Sequence, residues 1–382
     1  MDFKLNEHQS LIKESVGSFI LKEFPEDRVK ELCLKREYPI EFDKKIAELG
    51  LLGICFPEKY GGSNFGTTEV AITIEELSKF SIDLGISYGL NILGGLTILH
   101  FGTDIQKKNY LPEMINAKIS FSLGYYEPFL FNFNDLSKWN LNVSTLFNED
   151  LVIHGSAIYS ENKDPDKNFI LLPLKIENGL ILKLLPQRLL GRGEVLHTLG
   201  RDLLGLVKFN IKDLKFSKDQ IIISDNERKI LSFLENMMKF INLMSCIGNM
   251  HTVISETISH AKTRVQFGVP IGTFQSLQHL ISDAKVKVDA SQLFGYWISW
   301  LIENNREIHS IEKEINMANC YITQSFIDAV NVGIQVMGGY GYIKEHNMER
   351  YIRDARMTTY FIEDTFLQKL LIAKKLGVFQ GG

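Results

Sequence analysis

One segment, ERKILSFLENMMKFINLMSCIGNMHTVISETISHAKTR from Glu227 to Arg264, constrains the fold more than any other part of the chain. It keeps a helical period and is apolar over much of its circumference, so it predicts a long helix covered on several sides. FQSLQHLISDAKVKVDASQLFGYWISWLIE and SIEKEINMANCYITQSFIDAVNVGIQVM behave in the same way. Together the three predict a helical bundle. Their apolar stripes are wider than one core needs, which predicts burial against a second subunit. No uninterrupted apolar stretch reaches the roughly eighteen residues that a membrane span needs, so no span is expected.

The rest of the chain divides by period. Residues 1 to 118 read as helices, with Leu5, Ile12 and Val16 at helical spacing and Asn6 or Ser10 placed to cap. Pro57, Gly61 and Gly62 punctuate CFPEKYGG. Helices are predicted from Thr67 to Phe80 and near Ile82 to Phe101, and a third starts at Thr103 and stops near Pro112. Residues 119 to 223 change character. FSLGYY, DLVIHGSAIY, NFILLPLKI, GLILKLLP and GLVKFNIKDLKF are short apolar or alternating runs separated by Asn, Asp, Gly and Pro, the pattern of strands and turns. The fold class is therefore α+β: an N-terminal helical domain (1–118), a middle β domain (119–223) and a C-terminal helical bundle (224–382).

Charge and cysteine usage exclude several functions. Against 42 Lys and Arg stand 46 Asp and Glu, a net charge of −4, which lacks the basic surplus of a nucleic-acid binder. Cys33, Cys55, Cys246 and Cys320 form no CxxC pair, so buried reduced thiols are expected rather than a disulfide framework or a zinc site. The histidines form no HxxxH or HExxH pair, and no metal is expected. The opening MDFKLNEHQSLIKES is amphipathic and contains acids, unlike a signal or transit peptide, so a cytoplasmic protein is expected.

Short motifs narrow the chemistry less. GISYG puts Ser87 in a GxSxG pattern, but in a helical stretch, where the strained strand-to-helix turn of a nucleophile elbow cannot form. No GxGxxG follows a strand, and LGRGE reads as a turn. RVQFGVPIGTFQ is more informative. Arg264 ends the long helix and is followed by Phe267, Gly268, Pro270, Phe274 and Gln275. An arginine offers paired donors to phosphate and a ring offers a stacking face, so the segment suits a diphosphate and adenine site. It equally suits a helix end closed by Gly and Pro. In QVMGGYGY, Gln335, Gly338, Gly339 and Gly341 allow close backbone approach to a ligand, or a plain helix-ending turn.

Taken in order, DFKLNEHQ, PEKYGG, FGTDIQKKNYLPEM, RVQFGVPIGTFQ, QVMGGYGY and ERYIRDARM resemble the acyl-CoA dehydrogenase family over nearly the whole chain. The resemblance implies a helical domain, a β domain and a C-terminal four-helix bundle, and with them α,β-dehydrogenation of an acyl-CoA or acyl-carrier-protein thioester. A Glu removes the α-proton and FAD takes the β-hydride, in an oligomer where each FAD lies between subunits. Counted without gaps from Arg353, the commoner base position falls on Ile362, with Glu363 beside it and Asp364 where a flavin-touching Thr is expected. The other base position falls on Met238, next to Lys239. Both base positions are thus apolar, and Glu363 is the remaining candidate catalytic residue.

The flavin contacts implied by the resemblance split unevenly. Those made to a chain's own FAD are altered: GYYEPFLF (Gly124 to Phe131), Tyr159 to Glu161, and Asp364. Glu161 stands where N5 of the flavin expects a hydroxyl. Those donated to a neighbour's FAD are retained: Arg264, Phe267, Gln275, Gln335, Gly338 and Gly339. Three readings follow. The chain completes the FAD site of a catalytic paralogue in a mixed oligomer; or it is an active FAD-dependent dehydrogenase, homo-oligomeric, using Glu363; or it is a flavin-free thioester dehydratase, isomerase or binding protein drawing on Glu161, Glu363, Asp364 and Tyr125.

Overall fold

The computed structural model describes residues 4–124, 141–145, 151–155, 157–161, 163–176, 179–211, 213–216, 220–223, 227–304, 308–360 and 364–378. Six helices come first: α1 (Glu7–Glu23), α2 (Glu26–Lys35), α3 (Phe42–Glu48), α4 (Thr67–Leu77), α5 (Ile82–Phe101) and α6 (Asp104–Ile115). Asn6 starts α1 through a capping box with Gln9, its side chain accepting the Gln9 N–H at 2.9 Å. Thr103 caps α6 in the same way with Gln106. The helix ends three residues past Pro112, close to the expected stop. The proline sits in the last turn, where its missing N–H removes a single rung, and the helix continues to Ile115.

Among the described residues, ten strands follow before the long helices: β1 (Ser120–Leu123), β2 (Leu141–Thr145), β3 (Leu151–Gly155), β4 (Ala157–Glu161), β5 (Asn168–Ile176), β6 (Gly179–Pro186), β7 (Glu194–Leu196), β8 (Leu206–Asn210), β9 (Leu214–Phe216) and β10 (Ile221–Ile223). A seven-stranded sheet runs β10-β6-β5-β2-β3-β9, with β1 also paired to β5; a three-stranded sheet runs β4-β8-β7. The run DLVIHGSAIY, one segment by its pattern, is two strands in different sheets. That crossing carries Glu161 away from the larger sheet and onto the smaller one.

Three helices then form the bundle: α7 (Glu227–Thr263), α8 (Gln275–Asn304) and α9 (Glu312–Met337). A two-stranded hairpin, β11 (Val265–Gln266) and β12 (Val269–Pro270), separates the first two. The chain ends with α10 (Gly339–Tyr342), α11 (Met348–Thr358) and α12 (Thr365–Lys375). Helix α7 is the axle. It packs on α9, α8, α5 and α4. At Gly248 it passes so close to α4 that a Cβ would lie 2.0 Å from the Glu75 carbonyl oxygen.

Helices α5 and α7 are long and apolar enough to cross a membrane by length and composition alone, yet 89% and 94% of their most apolar stretches lie inside the protein. Their apolarity is spent on one core that runs from Val16 through Tyr88 and Ile241 to Tyr351. Helix α8 differs, leaving Val286, Leu293, Trp297 and Trp300 exposed along its length. Cys33 and Cys246 are buried and Cys55 and Cys320 half-buried, all as free thiols. Burial pushes the thiols of Cys33, Cys55 and Cys246 up to about 12.

Candidate functional site

The end of α7 builds a cleft. Arg264 follows its last residue, its N–H donating to the His260 carbonyl at 2.9 Å, and its own carbonyl accepts the Ile271 N–H at 2.8 Å. Between those bonds the chain makes the β11–β12 hairpin, with Phe267 and Gly268 as its two turn residues at φ 53° and 80°. Positive φ at both positions is the geometry of a type I′ turn, easy for glycine and strained for an aromatic residue. The strained position thrusts the Phe267 ring outward, 93% exposed. It meets Phe274 edge to face at 6.1 Å.

The opposite wall comes from the end of α9. Gly338 terminates that helix at φ 56°, ψ −131°, a conformation essentially confined to glycine, and its N–H donates to the Ile334 carbonyl at 2.9 Å. A Cβ built on Gly339 would meet no atom within 4 Å. The two ends enclose about 610 Å³, lined by Arg264, Phe267, Phe274, Gln335, Gly338 and Gly339 among others. The Arg264 guanidinium lies 5.4 Å from the centre of the Tyr340 ring, which holds it over the cleft. Gln275, the first residue of α8, is exposed and does not line the cleft. Burial, with Arg264 and His346 nearby, lowers the His260 pKa, so the ring is neutral at physiological pH.

This cleft fits the dinucleotide part of FAD: a planar cation for diphosphate, aromatic faces for a base, and a glycine pair that lets backbone approach. The positions that would face the chain's own flavin do not fit in the same way. Glu161, at the end of β4, has no exposed surface. Its carboxylate accepts the Leu123 N–H at 3.2 Å and lies 3.9 Å from Arg201 Nη1. A carboxylate only accepts hydrogen bonds, and so does N5 of an oxidised flavin. The neighbouring Ser160 hydroxyl is bonded to Ser122 at 2.6 Å.

Arg201 ties this half together. It is 1% exposed and sits at φ 62°. Its Nε donates to Asp83 Oδ1 at 3.1 Å and its backbone N–H to Asp354 Oδ1 at 2.8 Å. The other Asp83 oxygen accepts the N–H groups of Leu203 and Leu204 at 3.0 and 3.1 Å. Burial, then the Asp83 charge, pushes Asp354 up to about 7. Lys163, two residues after Glu161, is a second buried basic side chain. Its Nζ donates to the Ser87 carbonyl at 3.1 Å and to Asn91 Oδ1 at 3.3 Å, and burial lowers its pKa. Sequence reasoning missed both basic side chains: ENKDPDK reads as a solvated loop, and a lone Arg in LGRDLLG carries no motif.

The remaining predicted positions fall as follows. Met238 is fully buried in α7. Lys239 is buried with it, donating to Glu235 and to Asn316 Oδ1 at 2.7 Å. Asp364 caps α12, accepting the Phe366 N–H at 2.8 Å. Ser87 lies mid-helix in α5 with its hydroxyl on Tyr38 at 2.6 Å, which confirms that GISYG is no nucleophile elbow. Ile362, Glu363 and the segment 125–131, including Tyr125, lie outside the described residues.

Comparison with known proteins follows the same layout. The family model for the acyl-CoA dehydrogenase N-terminal domain matches residues 6–118, and that for the acyl-CoA dehydrogenase C-terminal domain matches residues 232–376. The chain is similar to a probable acyl-CoA dehydrogenase, YngJ, of Bacillus subtilis, at 27% identity over 98% of this chain and 100% of that one. It is 26% identical to a 3-(aryl)acrylate reductase of Clostridium sporogenes, over 97% of this chain and 98% of that one. Among solved structures, a glutaryl-coenzyme A dehydrogenase in complex with glutaryl-CoA superposes with a TM-score of 0.91 at 22% identity, covering 99% of this chain and 98% of that one.

Proposed function

Because the chain belongs to the acyl-CoA dehydrogenase family, we propose that it is a divergent subunit which completes the FAD site of a catalytic paralogue and does not hold a working flavin of its own. FAD-linked α,β-dehydrogenation of an acyl thioester is then the reaction of the mixed oligomer. This chain contributes binding. Arg264 meets diphosphate, Phe267 and Phe274 offer aromatic faces, and Gly338 and Gly339 allow the backbone to come close.

The observation that supports this reading is the contrast between the two halves. The outward cleft keeps an aromatic residue, Phe267, exposed at a positive-φ turn position, which costs stability on its own. The inward half puts a carboxylate, Glu161, into an ion pair with its own Arg201. Random decay would erode both halves alike.

Co-expression with paralogues of this family tests the proposal. The expected result is co-purification with one of them, one flavin per pair, and loss of that flavin on Arg264→Ala in this chain. A pure chain that carries one flavin per subunit and oxidises an acyl thioester alone contradicts it. In that case Glu363→Gln is the variant that identifies the base.

A further inference from the structure

A second cavity, of about 530 Å³, opens near the start of α7. It shares no lining residue with the cleft. Between Met237 and His260, which line the one and the other, α7 advances on the order of 35 Å at about 1.5 Å per residue. The two are therefore separate sites.

The floor is apolar: Val70 of α4, Leu96 of α5, and Phe233 and Met237 of α7. The wall is aromatic. The Phe233 ring stands 5.4 Å from His100 and 5.5 Å from Phe101, both edge to face, and Phe65 leans in from the loop before α4 with 40% of its surface exposed. A further ring can join such a group edge to face or offset-stacked and gains beyond its buried area, which an alkyl chain does not. The volume lies within the roughly 300–1,000 Å³ of sites for small organic ligands.

The charged groups select the ligand further. Glu303 is committed to the start of α4: it accepts from the Thr68 hydroxyl at 3.3 Å and lies against Gly66, the residue that caps that helix. Lys229 of α7 supplies positive charge on the lining, and Lys107 of α6 acts on His100 from behind. Burial, then Lys107, lowers the His100 pKa, so the ring is neutral and offers one N–H.

We propose that this cavity binds an aromatic amphiphile with an anionic head, the ring lying among Phe233, Phe101 and Phe65 and the anion towards Lys229. The proposal does not depend on the flavin reading.

The test uses the full chain and 8-anilinonaphthalene-1-sulfonate as the probe, followed by its fluorescence. Saturable binding at one site per chain is expected. Lys229→Glu, an exposed position, weakens it at least 10-fold, and Phe233→Leu weakens it several-fold with the thermal transition retained. The uncharged N-phenyl-1-naphthylamine binds wild type and Lys229→Glu alike. 2-Naphthoate displaces the probe and dodecanoate does so at least 10-fold less well. Non-saturable binding, indifference to Lys229→Glu, or equal displacement by dodecanoate would each overturn the proposal.

Discussion

Glu161 Oε1 stands 3.9 Å from Arg201 Nη1, and neither side chain reaches solvent. Two buried charges persist only when each has partners. Arg201 also holds Asp83 of α5 and, through its backbone, Asp354 of α11. The group at the end of β4 thus fastens the small sheet to helices from both ends of the chain. Glu161, which the family resemblance sets at a flavin-facing position, is a structural tie in this fold.

Removing one partner of this pair is expected to be costly. Glu161→Thr, which brings back a hydroxyl, should lower stability by about 2–4 kcal/mol because Arg201 keeps its charge and its burial. Glu161→Gln, which still accepts the Leu123 N–H, should cost less. Urea unfolding checks this: the midpoint falls while the slope holds. A Glu161→Thr change within about 0.5 kcal/mol of wild type, the scatter of ordinary surface substitutions, means that the pair is not a tie.

Phe267 occupies a turn position that favours Asn or Gly. Phe267→Asn should stabilise the chain by about 0.5–1 kcal/mol by relieving the positive-φ strain, and should weaken retention of the partner's flavin about 10-fold by removing the exposed ring. Thermal unfolding and flavin release on dilution are the two measurements. A stabilised variant that still holds flavin normally would separate Phe267 from the dinucleotide.

Gly338 and Gly339 should part company. Gly338→Ala forces a side chain into a glycine-only conformation, at a cost of about 1–3 kcal/mol. Gly339→Ala meets open space and should leave the thermal transition unchanged while blocking the cleft to a dinucleotide. Equal effects of the two on both readouts would mean that the cleft wall is only a helix end.

A pH dependence follows from Glu256 on α7. It lies beside Glu26 of α2, and the Tyr351 hydroxyl stands 3.0 Å from the first and 3.3 Å from the second. Asn347 donates to Glu26, while Arg350 is turned to the Phe80 carbonyl. Burial, then the Glu26 charge, pushes Glu256 up to about 8. A folded-state value above the unfolded one means that this contribution is full below about 4.5, declines as pH rises, and is gone above about 8. Stability should therefore fall by on the order of 2 kcal/mol from pH 5 to 8.5 at this site, allowing for solvent screening. Glu256→Gln should flatten that slope. A slope unchanged by the variant would place the titration elsewhere.

Much of the fold was legible because long helices and short strands write different periods. The segment that became α7 could be read directly; the cap of α1 was narrowed to Asn6 or Ser10, and Asn6 is the one that serves. Pro112 marked the end of α6 to within one turn, because a proline removes only one rung of the last turn. DLVIHGSAIY misled because alternation does not say which sheet a strand joins. The cleft between the ends of α7 and α9 was legible as local structure because Arg264, Phe267 and the Gly338–Gly339 pair sit at two helix ends, where local geometry follows from local sequence. The Asp83–Arg201–Asp354 cluster was not, because its members are far apart in sequence and meet only through packing. Its buried lysine neighbour, Lys163, looks in sequence like any loop residue.

The most direct test of the account is the flavin absorbance of the purified chain, alone and after mixing with a catalytic paralogue. The account predicts a chain that is nearly colourless by itself and a complex that carries one flavin per pair. One tightly held flavin per subunit in the chain alone, reduced on addition of an acyl thioester, would contradict it.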